Sequence, residues 1–291
     1  MNLSKLTTMA YGTASKKAFE ALYPTEKRLF QDEYTIKLLT PGWRIFSVNI
    51  FKNKFIFDRV MKIGDKIAPG VQVGLMCRVR YIDEVLKEAI NSDFDVVVNL
   101  GAGFDTRSLR IEGIGSLKIY EIDHPTVIAE KRKRFEKAGF GIPANLELVP
   151  IDFDSLILKQ GLEDAGYNPS LKTLFIWEGV TQYITKEAIE STLSYISQSK
   201  DGSRVVFTYV LKEYIDNPGS FPELKVLYKQ IKKIWINGMD PSTMNSYLEK
   251  FGLKLLEDAG AEYYREKYLK PLNREMNVMK IERIVLAEVK K

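Results

Sequence analysis

The chain has 291 residues, 45% of them hydrophobic and 28% charged, with a net charge of +5. That length is ample for a large core, and a mild, scattered positive charge argues against a nucleic-acid surface. A single cysteine, Cys77, excludes an internal disulfide, and a single histidine, His124, argues against a Cys–His metal site, so no metal is expected. No apolar run reaches the ~20 residues of a membrane span. The segment MNLSKLTTMAYGTASKK lacks the continuous apolar stretch of a signal peptide. A cytoplasmic protein that engages neither nucleic acid nor membrane is expected.

Residues 1–93 hold no alternating strand–helix unit and read as a helical N-terminal cap. Its clearest helices are KAFEALYP (17–24), EKRLFQDEYTIKLL (26–39) and VGLMCRVRYIDEVLKEAI (73–90). From residue 94 the pattern changes to an α/β domain reaching residue 291. Strands are predicted at DVVVNL (95–100), LKIYEID (117–123), LELVPID (146–152), TLFIWEG (173–179) and RVVFTYV (204–210). Helices fall between them at 124–139, 155–166 and 186–198. Near-continuous apolar strands separated by such helices predict a parallel sheet covered on both faces. Residues 211–241, rich in Lys, Tyr and Pro, break the alternation and read as a helical insertion extending to about residue 247. LKLLED (253–258) and ERIVLAEV (282–289) are left to close the sheet as a final pair.

Ligands of open α/β sheets bind at the carboxyl ends of the strands, so those ends carry the functional reading. The first strand ends in Gly101-Ala102-Gly103, the second in Asp123, the third in Asp152-Phe153 and the fourth in Glu178-Gly179. Three strands thus deliver an acid to one edge beside a glycine corner. One such acid is an ordinary helix cap; a row points to a polar ligand. Asp123 lies 20 residues beyond Gly103, where a carboxylate in a βαβ unit accepts from ribose hydroxyls. Thr106 stands where a dinucleotide fingerprint wants Gly or Ala. Asp105, a good helix cap, would repel a pyrophosphate on the helix N-terminus. The expected ligand is an adenosine compound without a polyphosphate.

Arg78 is an independent signal. On a helix through 75–90, Leu75, Val79, Ile82, Val85, Leu86 and Ala89 form one stripe, and Arg78 projects inside it. Arg80, Glu84 and Lys87 take the opposite face. A buried arginine needs an anionic partner, either a core carboxylate or a ligand's.

Together these stretches resemble the leucine carboxyl methyltransferase family of S-adenosylmethionine-dependent enzymes. The matching text is CRVRYIDEVL (77–86), VVNLGAGFDTR (97–107), YEIDHPTVIAEKRKRF (120–135), PIDFDS (150–155) and FIWEGVTQYIT (175–185), with similarity from near residue 13 to about 210. The resemblance implies a Rossmann-like class I methyltransferase: a seven-stranded, mostly parallel sheet with its last strand antiparallel. It implies S-adenosyl-L-methionine as cofactor. Arg78 would hold the methionine carboxylate, Gly101, Ala102 and Gly103 would let the methionine part approach the backbone, and Asp123 would bind the ribose. Asp152 and Phe153 would contact the adenine, and Glu178 would sit near the amino group. His124 is expected to be structural.

The acceptor side departs from any recognisable pattern. Tyr183 and Tyr209, near the ends of the fourth and fifth strands, are candidates for touching the acceptor, against ordinary packing. Residues 1–70 and 211–241 would line its pocket. An O-methyltransferase acting on a carboxylate or hydroxyl is expected, with a small-molecule acceptor rather than a protein C-terminus. Two other readings remain: a non-catalytic module that binds S-adenosylmethionine, and a nicotinamide-dependent oxidoreductase, which Thr106 and Asp105 disfavour.

Overall fold

Val96–Leu100 (β1), Lys118–Asp123 (β2), Leu146–Pro150 (β3), Thr173–Trp177 (β4) and Arg204–Val210 (β5) pair in parallel, each where an apolar run predicts it. Leu253–Ala259 (β6) and Glu282–Val289 (β7) complete a seven-stranded sheet of order β3-β2-β1-β4-β5-β7-β6. β7 lies antiparallel between β5 and β6, as expected of ERIVLAEV. The computed structural model describes residues 3–45, 53–151 and 158–291. Asp152 and Phe153 therefore lie outside the described residues.

Helices lie on both faces: Leu3–Ala18 (α1), Lys54–Ile67 (α2), Val71–Ile90 (α3), Pro125–Lys137 (α4), Leu158–Asp164 (α5), Lys186–Ile196 (α6), Lys212–Asp216 (α7), Lys225–Ile231 (α8) and Met244–Glu249 (α9). Alternate strand residues feed alternate cores. Val97, Ile119, Ile176 and Val206 pack against Ile82 and Leu86 of α3 and Ile128 and Phe135 of α4. Val98, Phe175, Trp177 and Phe207 pack against Leu193 and Ile196 of α6 and Leu248 of α9. Each such burial contributes about 1.5–3 kcal/mol. A buried Lys131–Glu121 ion pair, 2.5 Å apart, ties α4 to β2.

Two helical expectations change in the N-terminal region. The helix predicted over 26–39 does not form: a short 3-10 turn at Thr25–Lys27 and a single helical turn at Thr35–Leu38 replace it. The cause is local. Asp32 accepts from the backbone N–H of Tyr34 and Thr35 and from the Thr35 hydroxyl, a turn that competes with a continuing helix. Around 17–24 the regular helix is α1, which starts at Leu3; Phe19–Leu22 form a 3-10 turn after it.

α1 lies over the glycine corner. Tyr11, Ala14 and Ala18 form a small core with Leu39 and Phe104, and the Tyr11 and Phe104 rings are 4.5 Å apart. The Tyr11 hydroxyl donates to Glu130 of α4, and Arg134 donates back to Tyr11. The insertion after β5 has its own aromatic core, in which Tyr214 meets Phe221, Tyr228 and Trp235 edge-on.

Candidate functional site

The strand order reverses between β1 and β4, which opens a crevice at their carboxyl ends. Gly101 and Gly103 follow β1 with φ of 74° and 49°, a left-handed backbone that glycine adopts without strain. Gly101 has a second reason to lack a side chain. A Cβ there would stand 2.3 Å from Val180, so only glycine lets the loop after β4 close onto the corner. Ala102 is buried beneath. Asp123, the last residue of β2, braces the corner. Its Oδ2 accepts from Gly103 N at 2.7 Å and its Oδ1 from His124 N at 2.7 Å. Burial raises its pKa, against the two backbone donors. Each oxygen keeps a lone pair for a further donor.

Glu178 sits at the centre of the edge. It pairs with Arg78 Nε at 3.0 Å, Arg107 Nη1 at 2.9 Å and Lys17 Nζ at 3.7 Å. Burial works against its ionisation, yet the three cations prevail and hold it well below the usual carboxylate range. Gly179 turns the chain at φ 71°, with its N–H on the Thr208 hydroxyl at 2.7 Å.

Arg78 is 5% exposed on the apolar face of α3, where the stripe places it. Its partners are protein carboxylates: Nε on Glu178, and Nη1 on both oxygens of Glu282 at 2.9 and 2.8 Å. The core-carboxylate partner is thus present. Five donors leave the guanidinium room for both roles. Nη2 has no partner among the described residues and lies over Gly179, where a Cβ would be 3.2 Å away.

Arg107, quoted in GFDTR but given no role there, is a hub. It pairs with Asp83 at 2.7 Å, Asp105 at 2.5 Å and Glu178, all within 8% exposure, and its Nη2 is buried with no hydrogen-bond partner. Asp105 accepts from Arg107 N at 2.8 Å, but it is not the expected helix cap: Thr106 holds the N-cap position of Arg107–Arg110, with no side-chain cap bond, and the Arg107 charge keeps Asp105 deeply ionised despite burial. The signal for Arg107 was the Asp-x-Arg spacing itself. Lys17, Asp83 and Glu282 gave none, since their partners are distant in sequence. His124 accepts from Thr126 N through Nδ1 and caps α4, as expected of a structural histidine.

The two acceptor-side tyrosines part company. Tyr209 is 1% exposed in the sheet core and donates to Asp258 at 2.8 Å, a packing position. Tyr183 is half-buried beside Arg78 and Glu282, with Trp235 of the insertion edge-on at 6.5 Å. Ile236 N donates to Gln182 O, bringing the insertion to this loop. Gln182 is 4% exposed, and its Oε1 and Trp235 Nε1 are both buried without a hydrogen-bond partner among the described residues.

Residues 10–197 match the model of the family described as leucine carboxyl methyltransferase. YktD of Bacillus subtilis (strain 168) is 31% identical over 222 residues, 72% of this chain and 71% of YktD. A Mycobacterium ulcerans (strain Agy99) protein is 33% identical over 132 residues, 45% of this chain and 42% of that one. The names of both suggest S-adenosyl-L-methionine-dependent methyltransferases. In fold, the chain is similar to magnesium protoporphyrin IX methyltransferase (ChlM) from Synechocystis PCC 6803 with bound SAH: TM-score 0.51, 15% identity, covering 84% of this chain and 97% of that one. A Thermobifida fusca YX structure, whose name suggests a methyltransferase, gives a TM-score of 0.58 at 13% identity over 94% and 97% of the two chains.

The Arg107 cluster sets a pH signature. Asp105 and Glu178 have depressed pKa values, so their stabilisation is complete above the ordinary carboxylate range and is lost as pH falls through their folded values. Arg107→Met leaves buried carboxylates uncompensated and is expected to cost about 3–5 kcal/mol at pH 7. Urea unfolding of both proteins at pH 7 and pH 3 checks this: the gap between them should narrow at the lower pH. A gap that stays constant or widens would contradict it.

Proposed function

This chain belongs to the leucine carboxyl methyltransferase family and is an S-adenosyl-L-methionine-dependent methyltransferase, and from that premise we propose that it methylates a carboxylate oxygen of a small-molecule acceptor. The supporting observation for the cofactor is one convergence. The glycine corner, Asp123, Glu178 and Arg78 meet at a single crevice, with Arg78 Nη2 beside a position that has no side chain. In this reading Asp123 holds the ribose hydroxyls, and Gly101, Ala102 and Gly103 admit the methionine part to the backbone. Arg78 takes the cofactor's carboxylate through Nη2 while Nε and Nη1 stay on Glu178 and Glu282. Glu178, fully ionised, receives the amino group. Asp152 and Phe153 are assigned to the adenine on the resemblance alone. The bound cofactor supplies a methyl group on a positively charged sulfur.

The choice of acceptor rests on where protons can go. A hydroxyl must lose one and needs a base; a carboxylate is already ionised at pH 7. Asp123 aside, which this reading gives to the ribose, the acids at this edge are committed to cations: Glu178 to Arg78, Arg107 and Lys17, Asp105 to Arg107, and Glu282 to Arg78 through both oxygens. Trp235 Nε1 offers an anionic acceptor a donor that has no partner among the described residues. α1 and the insertion cover the crevice, so orientation and exclusion of water are the protein's contribution to rate. A hydroxyl acceptor is the second reading. Glu282 favours it, because burial raises its pKa even against Arg78.

Calorimetry with S-adenosylhomocysteine tests the cofactor residues. Asp123→Ala removes a charged acceptor and should weaken binding roughly ten- to a hundredfold, about 1.5–3 kcal/mol. Arg78→Met keeps the stem's packing. It should weaken S-adenosylhomocysteine yet leave 5′-methylthioadenosine, which has no carboxylate, nearly unchanged. Equal losses for both ligands would make Arg78 structural only.

The product and the pH profile test the acceptor. With a panel of carboxylic acids and radiolabelled cofactor, a base-labile methyl ester and a rate flat between about pH 6 and 9 are expected. A base-stable ether, with a rate rising tenfold per pH unit below the acceptor's pKa, would replace the carboxylate by a hydroxyl.

A further inference from the structure

A second cavity, about 1090 Å³, opens between α2, the first turn of α3 and the segment 265–277 that leads toward β7. It is separate from the strand ends: Gln72 and Val73 line it, whereas Arg78 sits one to two turns further along α3. Its lining includes an apolar surface made by Tyr23, Phe57, Met61, Val73 and Met276.

One wall is cationic. Arg59, Lys62 and Lys66 recur at i, i+3 and i+7 on α2 and so share one face of it. None of the three is ion-paired with a described residue, whereas Arg265 and Lys270 across the cavity are held by Glu262 and Glu266. Of the lining acids, Asp65 is spent on Gly70 N and the Asn277 amide, which leaves Asp58 and Glu275. Three cations without an ion-pair partner among the described residues, against two such acids, border a cavity with an apolar lining, a balance that suits an anion with an apolar body.

The Tyr23–Arg274–Met276 end carries two donors short of oxygen acceptors. Arg274, 7% exposed, stacks 3.8 Å over Tyr23 and gives its Nη atoms to Glu20, but its buried Nε–H has no partner among the described residues. The Tyr23 hydroxyl donates only to the Met276 thioether at 3.5 Å, a weak acceptor. A buried donor left unmet is unfavourable, and an oxygen within the ligand's apolar body would meet it. The paired Glu20 carboxylate makes that oxygen a neutral one, a hydroxyl or carbonyl, since a second anion would be repelled.

We propose that this cavity binds an acidic amphiphile: a carboxylic acid whose charged end lies along Arg59, Lys62 and Lys66 and whose apolar body carries a hydroxyl or carbonyl toward Tyr23 and Arg274. The site stands apart from the transfer reaction, and binding is measured without cofactor, so its failure leaves the methylation reading untouched.

The probe is 12-hydroxydodecanoate, titrated below its aggregation limit by calorimetry. One molecule should bind per chain. Dodecane-1,12-diol, which lacks the charge, should bind at least tenfold more weakly, and dodecanoate, which lacks the inner oxygen, severalfold more weakly. The double variant Lys62→Glu/Lys66→Glu lies on an exposed face, and its melting temperature checks the fold. It should lose at least tenfold for the hydroxy acid and leave the diol unchanged. Equal affinity for acid and diol, an unaffected variant, or many molecules per chain would overturn the proposal. So would dodecanoate binding as tightly as the hydroxy acid. Phe55 and Ile56 are exposed beside the stripe. If the variant instead alters only binding to vesicles of anionic phospholipid, α2 is a membrane-facing helix and the cavity assignment falls.

Discussion

Glu178 is the point on which the strand edge depends. A carboxylate this enclosed does not ionise alone. Here it is held ionised by Arg78 from α3, Arg107 from the turn after the glycine corner and Lys17 from α1. Those cations come from three separate parts of the chain. The same contacts that keep the charge therefore dock the long helix, the covering helix and the first loop on one another. Arg107 passes the constraint on to Asp83 and Asp105, and Arg110 doubles the hold on Asp83 at 2.6 Å. The crevice geometry follows from a charge network, while the sheet beneath it follows from apolar burial.

This division explains what was readable in the chain. The seven strands and their helices are patterned by apolar period, a signal carried by adjacent residues, and Arg78 was visible because it breaks such a period. Its partners were not. Arg78 meets Glu178 across 100 residues and Glu282 across 204, and no spacing in the sequence connects them. The expected helix over 26–39 failed for the opposite reason. Its apolar pattern was helical, but Asp32 offers the backbone a nearer partner, and the Arg28 side chain is drawn to the Tyr23 and Ala21 carbonyls. α2 was not singled out, though Phe57, Val60, Met61 and Ile67 form a helical stripe. That stripe is exposed at its end, with Ile67 at 41%, and Phe55 stands exposed on the opposite face.

The proposed acceptor side was least legible because its pieces share no period: Tyr183 follows β4 and Trp235 belongs to the insertion. Of the two tyrosines near strand ends, alternation along β5 turns Tyr209 into the core beside Phe207 and Trp177, while Tyr183 lies past the end of β4, where no sheet face claims it. A strand-end position is therefore a weak guide to a site unless the side chain's parity along the strand is also read.

Two kinds of acid meet at this edge, and their pKa shifts have opposite signs. Glu178 and Asp105 are depressed, so ionising them stabilises the fold at neutral pH. Asp123 and Glu282 are raised by burial. A raised carboxylate binds its proton more tightly in the folded chain, so its ionisation opposes folding above the ordinary carboxylate range, and that penalty disappears as pH falls through the folded value. The first pair holds the scaffold; of the second, Glu282 is taken up by Arg78 through both oxygens, while Asp123 ends β2 at the crevice with lone pairs left over. A ligand that donates hydrogen bonds to Asp123 replaces the lost water and recovers part of that cost, and this gain adds to its affinity. The edge is thus held by ion pairs around Glu178 and Asp105 and keeps spare acceptor capacity at Asp123.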